Sequence, residues 1–329
     1  PLVLFSKTSE LFEFNKIIVT YFFTALIMTA WVVRAILEKK VIFRRTIFDK
    51  PLLFFLGSQL LATIFSIDVH TSIFGYYSRF NGGLASSLCY ALLFWAFVSN
   101  MDKEKTIKSI KILITSSVLV SIYAIAQHFG IDKDIWVQDV QNRVFSTLGQ
   151  PNWLAAWLIA LMPLTLVFAL REQISSEKLT LILKNIKYWI WAVLFALFFQ
   201  TVLYTKSRSG YLGLSSALFI FWVGYFWQGR KQLLFHLKHY LIFGVIIGLL
   251  LFVLSFPDTV SEIRKIYKLQ PVSATTGTGP VLEVGGTESG TIRKIVWRGA
   301  FEIWKHNPIV GTGVETFAYS YYNFRPAEH

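Results

Sequence analysis

An all-α, polytopic transmembrane helical bundle is the fold class this sequence predicts, and three observations predict it. Of 329 residues, 54% are hydrophobic, 17% aromatic and only 16% charged, whereas soluble domains carry about a quarter charged residues. Thirty Phe and eleven Trp are spread over recurring apolar runs that approach the ~20 residues an α-helix needs to cross a hydrocarbon core about 30 Å thick. The charges between the runs alternate, one break rich in Lys and Arg and the next poor.

The runs predict eight spans: 17–37, 51–66, 83–99, 109–129, 151–170, 188–204, 211–227 and 240–256. The breaks 34–50, 100–111, 171–187 and 228–239 hold 6, 4, 4 and 3 Lys or Arg, 17 in all, whereas the alternate breaks hold five: Arg79, Lys133, Arg143, Lys206 and Arg208. The positive-inside rule places the first set in the cytoplasm. Eight more basic residues follow Pro257, in a segment that the alternation places outside. They do not oppose the assignment, because long loops translocate largely regardless of charge. The expected organisation is a transmembrane region at 1–256 with short loops and a large extracytoplasmic loop at 257–329. The formal charge of +13 would suggest nucleic acid in a soluble protein, but here its placement follows the bilayer, so no nucleic-acid partner is expected. Cys89 stands alone inside an apolar run, which excludes a disulfide framework or a cysteine metal site. Pro1 in place of Met, and a polar end at His329 with no span after it, lead us to expect a piece of a longer protein. No signal-peptide pattern is present at the start.

Within the outer segment, 271–290 is rich in Gly, Thr, Ser and Pro and reads as a loop. No Gly-Lys-Ser/Thr follows its glycines, so they do not form a phosphate loop. The stretch 291–305 places Ile295, Ala300 with Phe301, and Trp304 near a 3.6-residue period, predicting a surface helix with one apolar face that Asn307 and Pro308 end. Gly311-Thr312-Gly313 through Phe317 reads as a tight turn.

The outer basic residues point to chemistry because of where they fall. Spans three, five and seven start at the outer surface, each with four unsatisfied N–H groups and the positive end of its dipole. Arg79-Phe80-Asn81-Gly82-Gly83 precedes the third span, Arg143 to Asn152 the fifth, and Lys206-Ser207-Arg208-Ser209-Gly210 the seventh. Glycines and small hydroxyls admit an anion to the backbone, Pro151 suits a first helical turn, and Asn152 donates or caps. Three such starts can converge on one anion, and a guanidinium fork fits phosphate oxygens as lysine cannot. A phosphate or diphosphate in the outer leaflet is the expected ligand. Each arginine alone also suits snorkelling to lipid phosphates.

Other constellations fail. The six histidines form no His-Glu-x-x-His pattern, and no cysteine cluster accompanies them, so no metal is expected. There is no Gly-x-Ser-x-Gly elbow. Asp132 and Asp134, or Glu262 and Glu288, read equally well as solvated loop charges. A transporter or flippase for an anionic glycolipid is the alternative, but it calls for polar residues through the membrane depth and broken helices in corresponding halves, and the span centres here are mostly apolar.

The ordered motifs resemble the O-antigen ligase and Wzy-type polymerase superfamily of bacterial membrane glycosyltransferases. The matching pieces are Gly75-Tyr76-Tyr77-Ser78-Arg79-Phe80-Asn81-Gly82-Gly83, then Arg143 through Ala155, then Ser207-Arg208-Ser209-Gly210, then Arg293-Lys294-Ile295-Val296-Trp297 and Pro308-Ile309-Val310-Gly311-Thr312-Gly313, ending in Phe317. The resemblance covers roughly Phe74 to Phe324. It implies a C-type glycosyltransferase-like architecture in the bacterial cytoplasmic (inner) membrane. It further implies transfer of a polyprenyl-diphosphate-linked glycan to a hydroxyl of an acceptor glycan, lipid or protein at the outer face, without metal or nucleotide cofactor. Arg208 and Arg293 are then the catalytic residues that stabilise the leaving diphosphate, and Arg79, Arg143, Asn152, Ser207 and Arg298 bind substrate. The family's general base is a histidine of the large outer loop beyond the turn matched by Gly311 to Phe317. No residue of this chain matches it, His306 and His329 being poor substitutes, and the family's later spans are also unmatched.

Overall fold

The computed structural model describes residues 1–5, 8, 10–136, 138–174, 185–228, 244 and 289–326. Among them every regular element is helical: α1 (Phe14–Leu37), α2 (Asp49–Ile64), α3 (Val69–Phe74), α4 (Leu84–Asn100), α5 (Lys103–His128), a 3-10 turn (Ser146–Leu148), α6 (Pro151–Ile174), α7 (Ile186–Tyr204), α8 (Arg208–Gln228), α9 (Ser289–His306) and α10 (Phe317–Phe324).

Seven of the eight apolar runs are thus helices, and the eighth, 240–256, lies outside the described residues apart from Gly244. Among the described residues, four helices are long and apolar enough to cross a membrane: α1, α5, α6 over Pro151–Glu172, and α7; α4 is apolar but shorter. At ~1.5 Å per residue, the 24 residues of α1 reach about 36 Å, more than a hydrocarbon core. The protein is a multi-pass membrane protein. Most of the breaks 171–187 and 228–239, His236, His239, Glu262, Glu288, His329 and the glycine-rich stretch up to 288 also lie outside the described residues. Ser289 and Gly290, read above as loop, instead open α9, because a first helical turn needs no intrahelical partner for its N–H groups and accepts small residues. Two short helices, α3 and α10, were not anticipated. The six residues of α3 are too few to show a period; it forms because Asp68 caps it, accepting from Thr71 N at 3.2 Å and Thr71 Oγ1 at 2.9 Å. Those donors, the backbone one first, hold the Asp68 carboxyl below the usual carboxylate range.

The chain divides into two compact units. One, from Pro1–Val3 and Lys103–Gln270, holds α5 to α8; the other, Leu4–Asp102 with Pro271–His329, holds α1 to α4, α9 and α10. In the first, Leu154, Leu158, Met162 and Leu166 of α6 pack with Tyr188 and Phe198 of α7 and Val120 of α5 into one buried cluster. Trp157 Nε1 donates to Ser117 Oγ at 2.8 Å, tying α6 to α5. In the second, α1, α2 and α4 pack together. Asp49, the first residue of α2, closes the turn before it, accepting from Thr46 N at 2.9 Å and from Thr46 Oγ1 at 2.7 Å. Trp95 Nε1 on α4 donates to Asp49 Oδ1 at 3.1 Å, which ties α4 to that turn.

Candidate functional site at the helix starts

In the first unit, α7 runs out at Tyr204 and the chain reverses through Lys206, a left-handed residue with φ 47°. Ser207, 1% exposed, then caps α8, its Oγ accepting from Gly210 N at 3.0 Å. The same hydroxyl donates to Asn152 Oδ1 at 2.7 Å, on the first turn of α6. Two helix starts are therefore joined by one hydroxyl. Gly210 allows the approach, since a Cβ there would lie 2.8 Å from Ala155 Cβ. Pro151 occupies the first position of α6, where a missing N–H costs nothing, and Gly149 turns the chain into it at φ 79°.

Arg143 is held against the same turn, its Nε donating to the Thr205 carbonyl at 3.2 Å, while Val144 N donates to the Tyr204 carbonyl at 3.3 Å. Lys206 Nζ donates to Asn142 Oδ1 at 2.6 Å. A recess of about 370 Å³ opens here, lined by Gln138, Asp139, Asn142, Arg143, Gln150, Pro151 and Asn152. Arg208 stands one residue beyond Ser207, exposed, with no hydrogen bond or ion pair among the described residues, and it does not line the recess. The unit thus brings Arg143, Asn152 and Ser207 together. Ser207 does so from a buried position, as a cap whose hydroxyl is bonded to the Asn152 side-chain oxygen.

Sequence reasoning missed what holds this loop. Asp132, read as a solvated charge, is a hub: Tyr123 Oη, Gln127 Nε2 at 3.3 Å and Trp136 Nε1 at 2.8 Å all donate to its Oδ2. Gln127, fully buried, passes the connection on, its Oε1 accepting from Ser146 N at 2.8 Å. Ser146 opens the 3-10 turn that leads to Pro151. The sequence offers only the spacing of Tyr123 and Gln127, four residues apart on α5, which does not identify a partner. His128 lies alongside, stacked on Tyr204 with centroids 3.8 Å apart and its Nδ1 2.8 Å from the Gln141 carbonyl.

Arg79, Arg293 and Arg298 belong to the second unit. Arg79 Nε lies 3.8 Å from Glu13 Oε1, with the arginine side chain 54% exposed and the glutamate 17%. Burial pushes the Glu13 carboxyl above its usual range, Arg79 opposes this, and the nearby Glu10 and Glu315 charges add to the rise. Arg79 is thus already engaged by a carboxylate. Arg293 and Arg298 are exposed on α9. His306 turns its Nδ1 to its own helix, 2.9 Å from the Glu302 carbonyl. Among the described residues, no three His, Cys, Asp or Glu side chains form a group able to hold a metal.

The family model described as O-Antigen ligase matches residues 193–329. That stretch includes Ser207, Arg208, Arg293, Arg298 and the Gly311–Phe317 turn, whereas Arg79, Arg143 and Asn152 precede it. No curated protein and no solved structure matches the chain.

Proposed function

We propose, from the O-antigen ligase family to which residues 193–329 belong, that the protein transfers or polymerises a polyprenyl-diphosphate-linked glycan onto an acceptor hydroxyl at the outer face of the bacterial inner membrane. The sugar C1 to diphosphate-oxygen bond breaks, the acceptor oxygen bonds C1, and the acceptor's proton leaves to a base. The diphosphate gains charge as that bond breaks. Fixed cations aimed at it therefore act on the transition state more than on binding.

The observation that carries the reading is the pair of helix starts joined by Ser207 Oγ and Asn152 Oδ1 at 2.7 Å, with Arg143 hydrogen-bonded to the same turn. Helix N-termini and a guanidinium in one place make an anion site. Arg208, first residue of α8 and unpaired among the described residues, is assigned to the leaving diphosphate, and Arg293 is assigned the same role. Arg79, Arg143, Asn152, Ser207 and Arg298 bind or position the substrate. The reaction as proposed uses no metal and no nucleotide.

A transfer assay tests this: purified protein in nanodiscs, a synthetic polyprenyl-diphosphate glycan, a hydroxyl-bearing acceptor, and chelator present. Glycan appearing on the acceptor with release of polyprenyl diphosphate is the expected result. Movement of intact lipid-linked glycan between leaflets without transfer would establish the flippase alternative instead.

A further inference from the structure

The helix α9 has two apolar faces where the sequence suggested one. On one, Ile303 is 7% exposed and Gly299 is buried, with a Cβ at Gly299 only 2.5 Å from Tyr321 Cε2, so this face packs on α10. On the other, Trp297, Phe301 and Trp304 form a stripe at i, i+4 and i+7 that is 72%, 53% and 52% exposed. Phe301 and Trp304 lie with ring centroids 5.3 Å apart, and Lys305 Nζ sits 4.9 Å over the Phe301 ring. At 100° per residue, Arg293 flanks the stripe on one side and Lys294, Lys305 and Arg298 on the other. The only acid among residues 289–306, Glu302, points away from it and pairs with Lys305 at 2.8 Å.

The level of this helix is set by the turn that follows it. Thr312, six residues past His306, accepts from Ile67 N at 3.0 Å just beyond the end of α2, and Ser72 Oγ donates to the Val314 carbonyl at 2.9 Å. Gly313, at φ 116°, leaves no room for a Cβ against the Ser66 and Ser72 hydroxyls. Glu315 packs on Gly82, one residue before the cap of α4. Phe80 of that same turn accepts from Tyr21 Oη at 3.0 Å and meets the Phe14 ring, at the start of the membrane-spanning α1. The turn after α9 is therefore pinned where this unit's helices meet the membrane boundary.

We infer that α9 lies on the bilayer surface, its Trp297–Phe301–Trp304 stripe seated at the boundary between headgroups and acyl chains and its flanking Lys294 and Lys305 on anionic phospholipid headgroups. Aromatic side chains prefer that boundary, and a helix with an apolar stripe bordered by basic residues binds in its plane. The charge is complementary to anionic lipid, and the level is the one the turn dictates. The inference rests on the membrane reading and not on glycosyl transfer, so the two fail separately.

The test places one environment-sensitive fluorophore at a time on Trp297→Cys, Trp304→Cys or Glu302→Cys in a Cys89→Ser background, with the full chain in nanodiscs of phosphatidylcholine with and without phosphatidylglycerol. Probes at 297 and 304 should be quenched by shallow spin-labelled lipid and be several-fold less accessible to aqueous iodide than the probe at 302, with a larger contrast when phosphatidylglycerol is present. Iodide reaching 297 and 304 as readily as 302 would place the stripe in water and overturn the inference. Protection from both quenchers would do the same, placing protein over the stripe: another segment of this chain or a second copy. Independently of any cysteine variant, the conservative pair Trp297→Phe and Trp304→Phe should lose part of the tryptophan quenching by shallow brominated lipid. Unchanged quenching would count against the inference as well.

Discussion

Ser207 Oγ donates to Asn152 Oδ1 at 2.7 Å while accepting from Gly210 N at 3.0 Å, so one buried hydroxyl both caps α8 and fixes the first turn of α6. Replacing a serine cap by alanine removes about 1 kcal/mol, and here it also releases Asn152. Ser207→Ala should lower the thermal midpoint modestly and turnover more strongly, while Ser207→Thr, which keeps the hydroxyl, should retain most of both. Gly210→Ala should cost about 1–3 kcal/mol, because its methyl would press on Ala155. Melting curves and transfer rates on the same preparations check all three. A Ser207→Ala protein with parental turnover would show that the hydroxyl does not position the site.

Arg208 and Arg293 are assigned to the charge that develops on the leaving diphosphate, so their loss should appear in turnover. Arg208→Ala or Arg293→Ala should reduce it about a hundredfold or more, the usual cost of one oxyanion donor. Lysine at either position should rescue only in part, since a point charge cannot form the fork. The loss should persist at saturating lipid-linked glycan. Full activity of either alanine variant in a purified assay would falsify the assignment, and rescue by excess substrate would reduce the role to capture.

Orientation follows from the distribution of Lys and Arg and is checked by labelling. With Cys89 replaced by serine, a cysteine at Ser209 should react with an impermeant thiol reagent on intact cells, and one at Lys108 should react only after permeabilisation. The reverse pattern inverts the topology and removes the outer-face reaction.

Glu13 gives a pH prediction. Burial raises its carboxyl above the ordinary 4.5, against the opposing effect of Arg79. An acid with a raised folded-state value binds its proton more tightly in the fold, so its contribution to stability is greatest at low pH and declines as pH rises through the raised value. Its partner at 3.8 Å is half exposed, and such pairs contribute little. Glu13→Gln should therefore be more stable than the parent at neutral pH, and the difference should shrink as pH falls towards the ordinary glutamate range. A destabilised glutamine variant at neutral pH would mean that the pair with Arg79 outweighs burial.

The helices that the sequence showed were those whose signal is continuous: long apolar runs force a helix in a membrane because every backbone group must be satisfied internally. The start of α6 was legible for a related reason, since Pro151 carries its role in its own chemistry. Ser207's bond to Asn152 was not, because it joins residues 55 apart in the chain. The pairing of Arg79 with Glu13 was not legible either, because no local pattern announces their proximity. The second apolar face of α9 escaped because Gly299 and Ile303 need Tyr321 to define it. Short helices such as α3 depend on one cap, and a cap alone looks like a turn.

Asp132 illustrates the same limit and gives the last prediction. Its Oδ2 takes donors from Tyr123, Gln127 and Trp136, which holds a non-glycine residue at φ 64°. Removing an ionised acceptor strands those donors, and hydrogen bonds to charged groups contribute about 1.5–3 kcal/mol each. Asp132→Ala should therefore destabilise the first unit by at least about 2 kcal/mol. Asp132→Asn keeps an acceptor oxygen but not the charge, and should lose less. Gln127 links the hub to Ser146 N at 2.8 Å, so loosening it should also disturb the approach to Pro151 and Asn152, and Asp132→Asn should lower turnover at a temperature where the protein remains folded. In a double-mutant cycle, Asp132→Asn and Asn152→Ala should then be coupled in turnover rather than additive. Strict additivity would confine Asp132 to stability and separate the loop from the site.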